Sequence, residues 1–571
     1  MGCNASGGAE RHRSFDFNSP FLWRSNYAVV SSVLAALLFA ASGTAAQPTA
    51  TPSGRTWQSD GSAANVQRIH DRQASDSDTI VIPKGTFSWT ARVNLSKAVT
   101  IQGQTTTDTV NGTSVDNTII VDNIPLAANA GLIHCRGRGG QRITGITFVG
   151  GRTQMQGNGL IRQEIGSRPS RFDHLVFDHV YFAPMVQIFT ANFGVIDHCI
   201  KRNPVGNDGI CHIYMSDYGG KAHGDGAFEV PAGYGSPDFF FVEDNYTYGG
   251  MDVTHGGKVC VRHNKFFFAN MASHGTAQSW HDGRGGRAVE IYNNEWQLAQ
   301  PYRDLTGSTG GGVVAHDNHI IPFPGNTVNG ISMQVYRMMF SYGAPFYGAD
   351  GANPWDYNAT EPDGSHIDGH PPYLFQSGTL SSATTSTVTD STKNWVANQW
   401  QGYNLRRVSD GATALIVSNT NNTLSLAQWQ NQGWATGNSY EIHKVLRILD
   451  QPGLGQQVAK MDRTQPRWMQ QATEPCYEWN NTDQNNKLVH FNVSTASQTI
   501  LLNRDYFNGT PMPGYTPYAY PHPLTKGLPL PEQTTRNATA NSQHNPLKKR
   551  QPWGGKGLDR KSKKGQRTPD K

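Results

Sequence analysis

The sequence predicts an all-β protein: a right-handed parallel β-helix with a short N-terminal capping helix and an inserted small β module. Three observations predict it. First, "FGVIDHCI" (193–200), "FFFVEDNYTY" (239–248), "VCVRHNKFFF" (259–268), "VEIYNNEW" (289–296) and "VVAHDNHI" (313–320) write one pattern, alternating apolar residues, then a polar pair, then an apolar or aromatic residue. Such alternation marks a short strand with one buried face. Second, the pattern recurs. Aligned on the second member of each pair, the anchors are His179, His198, Asn245, Asn264, Asn294 and Asn318, spaced by 19, 47, 19, 30 and 24 residues. A period of about 20–30 residues with insertions is that of a solenoid, whose units bury their faces only by stacking. Third, 61 glycines and 16% charged residues suit a turn-rich, exported β protein better than a helical one.

The elements follow in chain order. Residues 1–46 read as a secretory signal peptide, with Arg11, Arg13 and Arg24 ahead of the apolar run "AVVSSVLAALLFAA" (28–41) and cleavage near Ala46. Fourteen residues are too few for a comfortable membrane span, so the mature chain is expected to lack a transmembrane segment and to be extracellular or periplasmic. "SAANVQRIHDRQ" (62–73) has the spacing of an amphipathic helix that would cap the first open coil. The β-helix is assigned to 60–376, with asparagines at equivalent corners expected to form a side-chain ladder.

Residues 377–445 are rich in Thr, Ser, Asn and Trp and carry a turn signal about every ten residues, which marks an inserted β module. Its Trp395, Trp400, Trp429 and Trp434 either pack its core or stack on sugar rings. Residues 446–524 are assigned to a C-terminal segment packing on the β-helix, and 525–571 to a disordered basic tail. Ten Lys and Arg against two Asp in 548–571 leave the preceding chain near neutral, and nucleic acid is not an expected partner. Removal of the signal leaves Cys135, Cys199, Cys211, Cys260 and Cys476, an odd set without metal spacing, in which Cys199 and Cys211 either pair or face inward.

Four stretches resemble the pectate lyases of the parallel β-helix superfamily: "FGVIDHCI", "DGAFEVPAG" (225–233), "VCVRHNKF" and "RGGRAVEIYNNEW" (284–296). The resemblance spans roughly 140–320 and implies β-elimination from a uronate polymer. It also implies a calcium ion held by carboxylates, for which Asp225 and Glu229 occupy the matching positions. This chain departs from the family at three places: a calcium carboxylate falls on Pro184, the lysine on Asp252, and the arginine base on Ala272.

Other residues offer a rearranged set. His255 and His274 each lie ten residues beyond an anchor, nineteen residues apart, and imidazole is a natural general base near neutral pH. Two turn histidines without a role are the plainer alternative. "SWHDGRGGR" (279–287) adds His281, Asp282 and Arg284, the last suited to clamp a uronate carboxylate or to pair with Asp282. The candidate catalytic residues are thus His255, His274 and Arg284, the candidate substrate contacts Lys258, His281 and Asp282, and the candidate Ca2+ ligands Asp225 and Glu229. The expectation is a secreted, monomeric lyase of an acidic polysaccharide. A glycoside hydrolase using Asp225 with Glu229 or Asp252 with Asp304 is one alternative. A non-enzymatic glycan-binding or surface protein is the other.

Overall fold

The computed structural model describes residues 54–527 apart from 127–130, 155–158, 165–167, 183, 190–192, 205–208, 215–226, 228–229, 255, 274–285, 309–310, 334–355, 358–373, 402, 411, 427–432, 444–446, 449–452, 454–473 and 494–499. Three long sheets dominate it: sheet A with twelve strands, and sheets B and C with ten each. Each coil gives one strand to each sheet. Phe240–Glu243 lies in sheet A, Tyr246–Tyr248 in B and Met251–Thr254 in C, before Lys258–Arg262 returns to A. Every pairing between these neighbours is parallel. The chain therefore winds as a parallel β-helix.

The repeated sequence pattern now has a physical reading. Inward residues stack in columns: Ile196, Val242, Val261, Ile291 and Ala315 pair in register from coil to coil, and all are fully buried. Each large aliphatic side chain so buried contributes about 1.5–3 kcal/mol. The polar pair makes the corner between sheets A and B. Its first member takes a left-handed backbone, at His198, Asp244, His263, Asn293, Asp317 and Asn480 with φ between 52° and 57°. Asn, Asp and His tolerate that conformation better than most residues.

The second member points inward and forms the ladder. Asn245 Nδ2 donates to Asn264 Oδ1 (2.9 Å), Asn264 to Asn294 (2.9 Å), Asn294 to Asn318 (3.0 Å) and Asn318 to Asn481 (2.8 Å). The two earliest anchors need correction. His198 is the left-handed corner residue, and Cys199 sits at the ladder position, its N–H donating to Asn245 Oδ1 at 2.9 Å. His179 follows the sheet B strand Val176–Asp178 and belongs to another corner, while His174 is the true equivalent. A cysteine fills the inward site by apolar burial, so a search for polar pairs slips there by one residue.

Helix Ala63–Arg72 is N-capped by Ser62 and buries Ala63, Val66 and Ile69 against the first coils. The signal-peptide residues lie outside the described set. No described helix is long and apolar enough to cross a membrane. All five cysteines from Cys135 to Cys476 are buried and unpaired with one another, Cys199 and Cys211 among them.

After Gly330–Met333 in sheet C the chain departs, and it re-enters sheet A at Cys476–Trp479, paired with Gly312–His316. Asn481 then continues the ladder. Between these points stands a seven-stranded antiparallel sheet spanning residues 374–443. Its own core holds Trp395, Trp400 and Trp434 with Leu405, Ile416 and Ile442, so those tryptophans are packing residues. Trp429 lies outside the described residues.

The last described stretch straps the outer face of sheet A. Thr510 N–H donates to Glu478 O (3.0 Å), the Tyr515 hydroxyl to Glu290 (2.8 Å), Arg262 to the Tyr518 carbonyl (2.7 Å), and His522 N–H to Glu243 (2.7 Å). It covers Phe241, Cys260 and Tyr292, which cluster with Tyr518 and Leu524.

Candidate functional site

Sheet A is strapped, whereas sheet C presents outward polar side chains. Strand alternation sends Ile133, Cys135, Cys211, Ile213, Met251 and Val253 into the core, and the residues between them outward. One register column reads, coil by coil, Asn94, His134, Arg162, Gln187, His212, Asp252, Ala272, Gly307, Ser332 and Asn492. The sheet C strands Cys211–Tyr214 and Met271–Ser273 end immediately before 215–226 and 274–285, which lie outside the described residues.

At the N-terminal end of this face, Glu164 gathers three basic groups. Arg162 Nη2 lies 2.7 Å from Glu164 Oε1, His134 Nε2 3.0 Å from Oε2, and Arg136 Nε 3.9 Å from the same oxygen. Arg162 also stacks over the Phe189 ring at 4.0 Å. Burial works to raise the Glu164 pKa, but the hydrogen bond from His134 and the charges of His134, Arg162 and Arg136 outweigh it, holding the carboxyl at about 2. Burial pushes the His134 pKa down despite Glu164, so its imidazole is neutral near pH 7 and the lasting cations are the arginines. Arg92, half-buried just before the strand Val93–Leu95, is pulled down by burial and then by the charges of Arg136 and Arg162.

Midway along the face, His212 Nε2 lies 3.2 Å from Thr254 Oγ1 and 3.6 Å from Asp252 Oδ2, both on the next coil. His212 and Asp252 keep partial exposure, at 22% and 25% of their side chains, so a ligand can reach them. The positions where the resemblance puts the family's lysine and arginine, Asp252 and Ala272, are adjacent in this column. His212 was not legible in the sequence. Its strand, Cys211–Tyr214, reads as alternation over only four residues without an anchor pair, and the signal was the single His between apolar Cys211 and Ile213.

Of the eight sequence-derived site residues, His255, His274, His281, Asp282, Arg284, Asp225 and Glu229 lie outside the described residues. His255 is the residue next after Met251–Thr254 and His274 the one next after Met271–Ser273, two strands hydrogen-bonded side by side. Lys258 stands apart from them, at the start of a sheet A strand. Its Nζ donates to the Ala232 carbonyl at 3.2 Å and sits over the Phe239 ring, and burial lowers its pKa to about 8. Asp304 begins its sheet C strand and accepts a hydrogen bond from Asn492 (2.9 Å). It is two coils and three residues from Asp252 in register, a backbone separation on the order of 14 Å. Among the described residues no three His, Cys, Asp or Glu side chains gather as a metal ion requires.

No protein-family model matches the chain, and no curated protein matches it. Among solved structures it is similar to an alginate lyase from Paenibacillus sp. str. FPU-7, with 13% identity, 48% of this chain and 97% of that one covered, and a TM-score of 0.29. It is also similar to a variant of the PL6-family alginate lyase AlyGC, with 14% identity, 49% and 40% covered, and a TM-score of 0.27. Scores of this size speak to neither substrate nor catalytic residues. The three parallel sheets, the left-handed corners and the asparagine ladder make the fold a parallel β-helix.

Proposed function

We propose that the outer face of sheet C binds an acidic, uronate-containing polysaccharide and that the protein cleaves it by β-elimination. The observation that carries this reading is the column with His134, Arg162, Gln187, His212 and Asp252 at matched positions of successive coils. Coils repeat about every 4.8 Å, close to the length of one sugar in an extended chain. A glycan lying along the column therefore meets one side-chain position per residue.

The chemistry needs three things. A base takes the proton next to the uronate carboxylate, a cation offsets that carboxylate's charge, and a proton reaches the departing glycosidic oxygen. As the C–H bond breaks, its electron pair forms the ring double bond while the bond to the leaving oxygen breaks. His212, oriented by Asp252 and Thr254, is one base; His255 and His274, next along adjoining strands, are the others, and imidazole suits the task near neutral pH. Arg284 is the proposed carboxylate clamp, with His281 and Asp282 as substrate contacts. Calcium on Asp225 and Glu229, as the resemblance implies, would offset the same charge.

Hydrolysis is less well supported. The backbone positions of Asp252 and Asp304 lie on the order of 14 Å apart, whereas the carboxyl groups of hydrolytic pairs are roughly 5–9.5 Å apart. A binding role draws on Ala272 at the position where the family has its base. Export through the signal peptide belongs to the same reading. Incubation with a panel of uronate polymers tests it: a rise in ultraviolet absorbance from an unsaturated product supports the lyase, and its absence on every polymer, with binding retained, supports the binding role.

A further inference from the structure

Gln187 sits on the strand Val186–Phe189 of sheet C, in register with Arg162 on the preceding coil and His212 on the following one. Val186 and Ile188 on either side of it are core residues, so strand alternation turns Gln187 to the outer side. Both neighbours in the column have partners: Arg162 pairs with Glu164 at 2.7 Å, and His212 Nε2 lies 3.2 Å from Thr254 Oγ1. Among the described residues the Gln187 carboxamide has none, although the residue is only 6% exposed and its Oε1 is buried. Gly159 accounts for part of that burial. With φ at 74° it carries the chain so close that a Cβ there would stand 2.7 Å from the Gln187 Cβ. A buried amide oxygen without a donor costs free energy, and a methionine would fill the same space without that cost. Packing alone therefore does not explain a carboxamide here.

We propose that the Gln187 carboxamide binds a sugar hydroxyl one coil from His212 and makes the protein selective for the configuration of that hydroxyl. This rests on the reading of sheet C as the glycan-binding face. Coils repeat about every 4.8 Å, so Gln187 meets the sugar next to the one at His212. A carboxamide offers an acceptor and two donors and carries no charge. It matches a hydroxyl, which both donates and accepts, whereas a uronate carboxylate is better met by a guanidinium fork. Rotation about the last side-chain bond is soft, and it turns either the oxygen or the nitrogen toward the ligand. A sugar whose hydroxyl points to the other side of the ring leaves the amide unpaired while still shutting out water. Buried polar groups left unpaired in this way discriminate strongly between similar ligands.

The test is calorimetric binding of saturated hexamers of galacturonate, mannuronate and guluronate to the full chain and to its Gln187→Met variant. Thermal unfolding is followed on the same samples. Methionine keeps the volume and removes the hydrogen bond; should that variant lose its cooperative transition, Gln187→Leu takes its place. The expected result is a roughly tenfold loss of affinity for the hexamer that the parent binds best. Smaller losses for the other two bring the three affinities together, and the unfolding midpoint stays or rises because the unpartnered amide is gone. Unchanged affinity for the best hexamer overturns the role of Gln187 and leaves glycan binding by the face standing. An equal loss for all three hexamers marks a packing residue and also overturns it. A parent that binds none of the three removes the glycan reading itself, and the role of Gln187 with it.

Discussion

Asn264 carries more of this fold than its size suggests. Its amide donates to the carbonyls of Val242 (2.9 Å) and Arg262 (2.8 Å) and to Asn294, while its oxygen accepts from Asn245 N–H at 3.0 Å. Truncation leaves several fully buried groups without partners. Asn264→Ala is therefore expected to cost roughly 3 kcal/mol or more, read as a lower denaturant midpoint at constant slope. A change within about 0.5 kcal/mol, the range of an ordinary surface substitution, would contradict the ladder's role. His212 is the chemical counterpart. His212→Ala is expected to cut turnover about 10²-fold or more if it is the base, with the unfolding midpoint little changed. Unaltered turnover transfers the role to His255 or His274. The ladder was legible because asparagine at a fixed corner is a polar signal against an apolar background. His212 was not, because a four-residue strand has too little alternation to announce itself, and Cys199 hid a corner by being apolar.

Among elements, the insert and the strap make contrasting demands. The insert's first and last strands, Leu374–Thr379 and Ser439–His443, pair with each other, so its entry and exit meet, and its core is its own. Replacing 374–443 by a short flexible linker should leave cooperative unfolding of the β-helix intact. Loss of that cooperativity would show that the insert shares the main core. The Trp-rich composition marked this module in the sequence, but composition could not say whether its rings faced sugar or core.

The sequence assigned 446–524 to a segment packing on the β-helix, but the strap's course was not legible because it has no periodicity and takes its order from sheet A. Burial lowers the His522 pKa to about 3 and that of His263, stacked on Tyr520, to about 4. The unfolded chain protonates both near 6.5, so it binds more protons than the folded chain below that pH. Their contribution is complete above about pH 6.5 and is lost as the pH falls toward 4 and then 3. Glu243, raised to about 7 by burial, slopes the other way between about 4.5 and 7, so a difference measurement is needed. His522→Asn should show a shallower loss of stability between pH 6 and 4 than the parent; parallel curves would contradict the burial of a neutral imidazole.

For the whole molecule, the division of labour is by face. The strap covers sheet A, while sheet C keeps outward basic and acidic side chains. The solenoid itself was legible, since a strand pattern repeated with a period admits few architectures. The proposed glycan-binding face was only half legible, because its residues sit singly on short strands far apart in sequence and come together only through the coil repeat. The most direct measurement is mass spectrometry of the products from a uronate polymer incubated in heavy-oxygen water. Elimination predicts fragments with one unsaturated terminal sugar and no oxygen taken from solvent. Fragments that are saturated and carry one solvent oxygen would contradict it, and so would a polymer that is bound but returned intact.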